Sequence, residues 1–307
     1  YNEVKSIEIF LNSLFAQTVF PDQVVIVDAF SNDGTYEILK TKVSDFLKQN
    51  KKTKFTILRK KGNRSIGRNT AIESSTGEVI LSSDAGCIID KNWVKVMINT
   101  FEKNTIDVVA GFYKGKATTE FQKALIPYVL VMPDKVNEKT FLPATRSMAL
   151  TKKIWKKAGG FPEKFSHNED YVFANKLKKI GAKIVFEKNA IVYWIPRTSL
   201  KQAFIMFFRF ALGDIESGII RPKVVLLLAR LLLFIVLAFI CILGPQYLIV
   251  LFLLLVFYSF FAYVKNRQYV SSKKAKMYLI IFQYLSDIAV IAGSLIGLTA
   301  LIKSRRR

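Results

Sequence analysis

From Val224 onward the chain is too apolar to be an ordinary soluble domain. Val224–Leu243 is twenty residues with one charge, Arg230, and Gly244-Pro245 follows it. Tyr247–Val264 is eighteen residues with none. Lys265–Lys276 then holds five positive charges and no negative one, and Tyr278–Ile302 is twenty-five residues with one charge, Asp287. A helix needs about 20 apolar residues to cross the hydrocarbon core of a bilayer, where only a helix or a closed barrel satisfies its own backbone. Two to three transmembrane helices are therefore expected over 224–302. Cytoplasmic loops favour Lys and Arg, so two crossings that return the chain to the cytoplasm at Lys265–Lys276 fit the charge pattern. A third full crossing would export Lys303-Ser304-Arg305-Arg306-Arg307. The last segment is expected either to fold back at Gly293-Ser294 or to carry that basic tail across.

Charge narrows the partners. Lys and Arg total 46 against 23 Asp and Glu, a formal net charge of +23. Nucleic acid and an anionic membrane surface both suit this balance. The apolar last third, and the lack of a basic region interleaved with aromatics, favour the membrane and argue against nucleic acid. Cys87 and Cys241 are too few for a disulfide framework and have no metal-ligand spacing. The single His167 excludes a site that needs two. The chain opens Tyr1-Asn2-Glu3 with neither Met nor signal peptide, and is expected to lack a first strand just upstream.

Before Val224 the periodicity alternates. Ile7, Leu11, Leu14 and Phe15 share one helical face, Val24–Val27 is an apolar strand, and a turn-rich Ser31–Thr35 leads into a helix over 35–48. A strand over 55–58, a loop over 62–65, a helix over 68–74, a strand over 79–82, a helix over 91–103 and a strand over 106–112 follow. This order predicts an α/β domain with a largely parallel sheet, whose ligands bind beyond the carboxyl ends of the strands. Asp28 and Asp84 both stand at such strand ends, although either alone could simply cap the next turn. Residues 114–142 read as irregular. Helices are expected at 151–158 and 169–180, and short strands at 184–186 and 190–193. Residues 199–217, apolar on most faces with Lys201, Arg209 and Asp214 among the exceptions, suit a helix at the membrane interface within a region taken as 199–222; a buried core helix is the alternative.

A series of motifs carries a resemblance. These are Asn2-Glu3, Gln17-Thr18, Val25-Ile26-Val27-Asp28 with Ser31-Asn32-Asp33-Gly34-Thr35, Gly67-Arg68-Asn69, Ser74-Ser75-Thr76-Gly77-Glu78, Ser83-Asp84-Ala85-Gly86, Gly159-Gly160-Phe161 and Glu169-Asp170. In this order and spacing the chain resembles the inverting family 2 glycosyltransferases, which have the GT-A fold, a Rossmann-like mixed α/β sheet. The resemblance covers residues 1–198, taken as the transferase domain.

What the resemblance implies follows the chemistry. The leaving nucleoside diphosphate carries several negative charges and calls for Mg²⁺ or Mn²⁺ held by carboxylates. Asp84 takes the place of the family's metal-binding Asp-X-Asp, with Gly86 in its third position and Asp90 as a possible helper through water. Asp28, with Asn2 and Glu3 flanking it, resembles the nucleoside-contacting carboxylate; Ala29 stands where many members have a second acid. Arg68 can reach the diphosphate or can be a solvated cation at a helix start. Asp170 holds the place of the base that takes the proton from the acceptor hydroxyl, beside Glu169, which is structural or touches the acceptor. The two acids could instead merely favour a helix N-terminus. Trp194 replaces the metal-ligating His of many members and, having only an N–H donor, could stack on substrate or pack. Processive members carry Gln-X-X-Arg-Trp where this chain has Met206-Phe207-Phe208-Arg209-Phe210, so one sugar per encounter is expected.

The function expected is transfer of a hexose-type sugar from a nucleoside-diphosphate sugar to a lipid-linked or glycan acceptor. It would occur at a multi-pass cell-membrane protein whose catalytic domain is cytoplasmic. A dolichyl- or polyprenyl-phosphate acceptor is the enzymatic alternative. A degenerate fold that binds nucleotide or lipid without turnover is the alternative of another class.

Overall fold

The computed structural model describes residues 1–50, 53–103, 105–219 and 221–305. In chain order the elements are α1 (Ile7–Phe15), β1 (Gln23–Asp28), α2 (Thr35–Gln49), β2 (Lys54–Arg59), α3 (Arg64–Ser74), β3 (Val79–Ser82), β4 (Cys87–Ile89), α4 (Trp93–Lys103), β5 (Val108–Gly115), α5 (Glu120–Val129), β6 (Met148–Thr151), α6 (Lys152–Lys157), α7 (Glu169–Lys179), β7 (Ile184–Trp194), α8 (Leu200–Glu216), α9 (Pro222–Leu243), α10 (Leu248–Asn266) and α11 (Lys273–Arg305). They form two compact units. The first comprises Tyr1–Lys116 and Met132–Ile195, the second Ala117–Val131 and Pro196–Arg307.

The first unit is α/β. Strands β1 and β2 pair in parallel as a two-stranded sheet, and the five-stranded sheet runs β3-β6-β5-β7-β4. Within the latter only β5 and β7 are parallel; β3–β6, β5–β6 and β4–β7 are antiparallel. The largely parallel sheet expected from the alternation is thus corrected to a mixed one. The alternation missed β4 and β6 because runs of three and four residues are too short to show a period. The expected strands at 184–186 and 190–193 are one strand, β7, whose partner β5 shifts register between Gly111 and Phe112. The Glu187-Lys188-Asn189 interruption that suggested a break is that irregularity.

One core lies around α1, α4 and the sheet. Ile7, Phe10, Leu11 and Leu14 recur at helical spacing and are buried with Trp93, Met97, Val109, Ala149 and Val192. A second gathers Met148, Leu150, Trp155, Phe161, Phe173 and Leu177 beneath α6 and α7. Two motif residues are struts for these layers. Gln17 is buried, its Nε2 donating to the Asp90 carbonyl at 2.8 Å and its Oε1 accepting from the Val94 amide at 3.1 Å. Asn69 accepts from the Phe161 amide and the Trp155 indole and donates to the Phe161 carbonyl, which fastens α3 to the Gly159-Gly160-Phe161 turn. A buried amide matched on both faces is expensive to lose.

The second unit is helical. Residues 114–142, read as irregular, contain α5; its Thr119/Gln122 capping box opens a helix that runs over Pro127. Helix α5 lies on α11, with the Tyr128 hydroxyl donating to the Leu279 carbonyl and Phe121 stacked edge-on to Phe282. Helices α9, α10 and α11 are each long and apolar enough to cross a membrane. Of the two alternatives for the last segment, a fold-back at Gly293-Ser294 does not occur, because α11 is one continuous helix from Lys273 to Arg305. The glycines there serve contact with α8 instead. A β-carbon on Gly297 would sit 2.8 Å from Ile215 Cβ, and one on Gly293 would collide with the Phe208 carbonyl. Helix α8 turns Ala203, Met206, Phe207 and Ala211 inward and leaves Ile205, Arg209 and Phe210 exposed. Of the basic tail, Arg306 and Arg307 lie outside the described residues.

Candidate active site

The turn-rich stretch after β1 holds the chain start in place. Ser31 Oγ accepts from the Asn2 amide at 2.9 Å, Thr35 Oγ1 from the Glu3 amide at 2.8 Å and Asp33 Oδ2 from the Val4 amide at 3.1 Å. Asp28, at the end of β1, is buried and accepts from the Ser31 amide and hydroxyl and from Arg59 Nε at 3.3 Å. Arg59 also lies over the rings of Phe30 and Tyr36. Asp28, Asn2 and Ser31 therefore form one cluster. Glu3 faces the next loop, its Oε2 being 3.9 Å from where a β-carbon on Gly86 would lie, and it accepts from Ser6 Oγ at 2.5 Å.

Arg68 ties that loop to α7. Its Nη2 donates to Asp84 Oδ1 and its Nη1 to Glu169 Oε1, each at 2.8 Å. Its side chain is 15% exposed, so the solvated reading is excluded. Helix α3 starts at Arg64 rather than Arg68 because Asn63 caps it, accepting from the Ile66 amide. That places Arg68 one turn inside the helix, facing inward. Arg64 stands 3.7 Å from Glu169. Asn168, in a left-handed conformation, begins α7 and puts Glu169 and Asp170 on its first turn.

These contacts drive the carboxylates apart. Burial pushes Asp84 upward, but Arg68, Arg146 and Arg64 outweigh it and hold the carboxyl below its ordinary range. Asp170 moves the other way: burial and the neighbouring Glu169 raise it, against Arg68 and Arg146. Burial also raises the Tyr113 phenol, and pushes the Cys87 thiol up to about 12.

Sequence reasoning missed Arg146, Tyr113, Arg64 and Arg59. Arg146 closes a turn in which the Ser147 amide donates to the Ala144 carbonyl, just before β6. Its linear signal is a cation two residues ahead of the apolar run Met148–Leu150. Trp194 ends β7 opposite Cys87, half-buried against the core around α1. Asp90 lies past the other end of β4, accepts from the Asn92 amide and leads into α4.

Among the described residues no three His, Cys, Asp or Glu side chains gather as a metal site. Asp84, which stands in the place of the family's metal-binding motif, has its Oδ1 already bound by Arg68. Such a donor set suits a divalent ion that takes most of its remaining ligands from phosphate and water, as Mg²⁺ commonly does.

The model of glycosyl transferase family 2 matches residues 1–156, just over half of the chain. The chain belongs to that family. Among its relatives, Glycosyltransferase AglE of Haloferax volcanii is 30% identical over 114 residues, 36% of each chain. This chain therefore spans about a third of that relative's length. Among solved structures, a mannosyltransferase of Pyrobaculum calidifontis, PcManGT, in complex with GDP-Man and Mn²⁺, has a TM-score of 0.57 at 16% identity. The match covers 97% of this chain and 84% of that one. S. aureus TarS has a TM-score of 0.50 at 22% identity, covering 70% of this chain and 38% of that one. The fold is the family's GT-A fold, with apolar helices after it.

Proposed function

We propose that the protein transfers a sugar from a nucleoside-diphosphate sugar to a hydroxyl of a membrane-associated acceptor, one sugar per encounter and with inversion. Asn2, Glu3 and Asp28 would receive the nucleoside, Asp84 and Arg68 the diphosphate end, and Trp194 the sugar side. Asp170 would take the acceptor proton as the new bond forms at the anomeric carbon and the diphosphate leaves from the opposite face. Glu169 is read as the residue that positions Arg68 and raises Asp170. When bound, Mg²⁺ or Mn²⁺ would neutralise charge on the diphosphate, with Asp84 as its protein ligand.

One observation carries this reading. Arg68 joins Asp84, just after β3, to Glu169 on the first turn of α7, so the loop that carries Asp84 and the acid pair Glu169-Asp170 meet at one guanidinium. The opposite shifts of the two aspartates, Asp84 down and Asp170 up, agree with one group kept anionic and one able to accept a proton. The family membership and the GDP-Man and Mn²⁺ bound by PcManGT support the donor class. The apolar helices support a multi-pass membrane location, and the basic stretch Lys265–Lys276 suits an orientation with the transferase domain on the cytoplasmic side, where a surface-bound acceptor would be concentrated. They also favour a second version, transfer to a lipid phosphate, whose oxygen is already anionic and needs no base.

The test is a donor screen on the full chain in detergent or vesicles, with UDP- and GDP-sugars and Mn²⁺ or Mg²⁺. Release of nucleoside diphosphate is read with glycan and with polyprenyl-phosphate acceptors. Release that depends on acceptor is expected. Tight nucleotide binding with no release under any pairing would refute transfer and favour a binding protein.

A further inference from the structure

Arg146 is the one arginine of this site with no carboxylate of its own. Its Nη1 is buried and has no hydrogen-bond partner among the described residues. Arg68, by contrast, has both Nη atoms bound to acids. The position of Arg146 is fixed from both sides. Its carbonyl accepts from Ser83 Oγ at 3.0 Å, which seats it beside the Ser83-Asp84 loop, and its guanidinium lies over the Tyr113 ring at 5.0 Å. Its charge helps to lower the carboxyls of both Asp84 and Asp170, yet it forms no ion pair with either among the described residues.

A buried guanidinium donor without an acceptor is costly in a resting protein and common where a ligand completes it. The planar fork of Arg matches phosphate oxygens two at a time, and stacking on a ring leaves its N–H edges free to donate. We infer that Arg146 is a phosphate-binding residue of this site, its unpaired Nη1 donating to a phosphate oxygen of a ligand bound beside the Ser83-Asp84 loop. The inference rests on the proposed transferase reading and deepens it. The family's second acid, absent at Gly86, would have held positive charge through a metal; here a fixed cation stands on the same rim. Two sources share the chemistry: the diphosphate of the donor, and the phosphate of a lipid acceptor.

The experiment titrates GDP and UDP, with Mn²⁺, into the full chain and into Arg146→Gln and Arg146→Lys by calorimetry. Undecaprenyl phosphate is titrated in parallel into the same proteins in detergent. A charge-assisted hydrogen bond predicts a loss of about 10- to 100-fold in affinity for one of the two ligands in Arg146→Gln. Arg146→Lys should recover part of it, since a point charge replaces the fork. Loss confined to the nucleotides assigns the donor diphosphate. Loss confined to the lipid phosphate assigns the acceptor. Thermal unfolding of each variant checks the fold, and the lysine variant decides alone if the glutamine variant does not fold. Unchanged affinity for both ligands, in variants that melt like the parent, would overturn the inference and leave the transferase reading standing. A parent chain that binds neither ligand would overturn both.

Discussion

Replacing Arg68 with Met tests how the site is held together, and its cost can be worked from the two arms of the bridge. Glu169 is 4% exposed, and removing the partner of a buried charge typically costs about 3–5 kcal/mol, because the remaining ion is left unpaired. Arg64 stands 3.7 Å away and can take over part of the interaction, so the lower end applies, about 3 kcal/mol. Asp84 is 38% exposed, so water screens its arm and it adds less than about 1 kcal/mol. For a domain of this size, about 3 kcal/mol corresponds to a fall in Tm of about 6–12 °C. Converting the pair together, as Arg68→Met/Glu169→Met, removes the unpaired charge and should restore most of the loss, since apolar replacements of buried ion pairs are often neutral. Thermal unfolding of the full chain in detergent, run as a double-mutant cycle, should give a coupling of about 2–3 kcal/mol for Arg68 with Glu169. For Arg68 with Asp84→Asn it should be under about 1 kcal/mol. Equal couplings, or a double variant as unstable as Arg68→Met, would refute the assignment of Glu169 as the buried anchor.

Two further outcomes follow from the same contacts. Asp170 must be unprotonated to act as base and its carboxyl is raised by burial and by Glu169, so turnover should fall as pH drops through a value above the usual carboxylate range, about 3.9. Glu169→Gln removes one raising cause and should move this acidic limb to lower pH in a kcat/KM profile; a limb that stays or rises contradicts it. In the helical unit, Gly297→Leu should lower stability by about 1–3 kcal/mol through overpacking against Ile215. An unchanged melting temperature in detergent would show that α8 and α11 do not meet there.

The chain declared some features in its sequence and hid others for physical reasons. Long apolar runs and full helical periods are local signals, so α2, α9 and α10 fall close to where the sequence places them. The motif residues were legible as a series, but not their division of labour. Gln17 and Asn69 turn out to be struts, and Arg68, read as a possible solvent cation, is the buried link between Asp84 and α7. That link spans 101 positions from Arg68 to Glu169, and no linear period encodes such a distance. Arg146 escaped because the stretch around it has no regular pattern, and its significance lies in an unpaired atom rather than in a residue type. The mixed sheet was implied by the resemblance but not by the periodicity, because antiparallel insertions as short as β4 and β6 leave no alternation to read.

The central claim is that one acid of this rim removes a proton while the others hold the donor. Asp170→Asn, assayed for nucleotide affinity by calorimetry and for product release with a hydroxyl acceptor, tests it most directly. The account predicts affinity within a few-fold of the parent and turnover reduced by about 10²- to 10⁴-fold. Turnover that survives the substitution nearly intact, or affinity that collapses together with it, would contradict the claim.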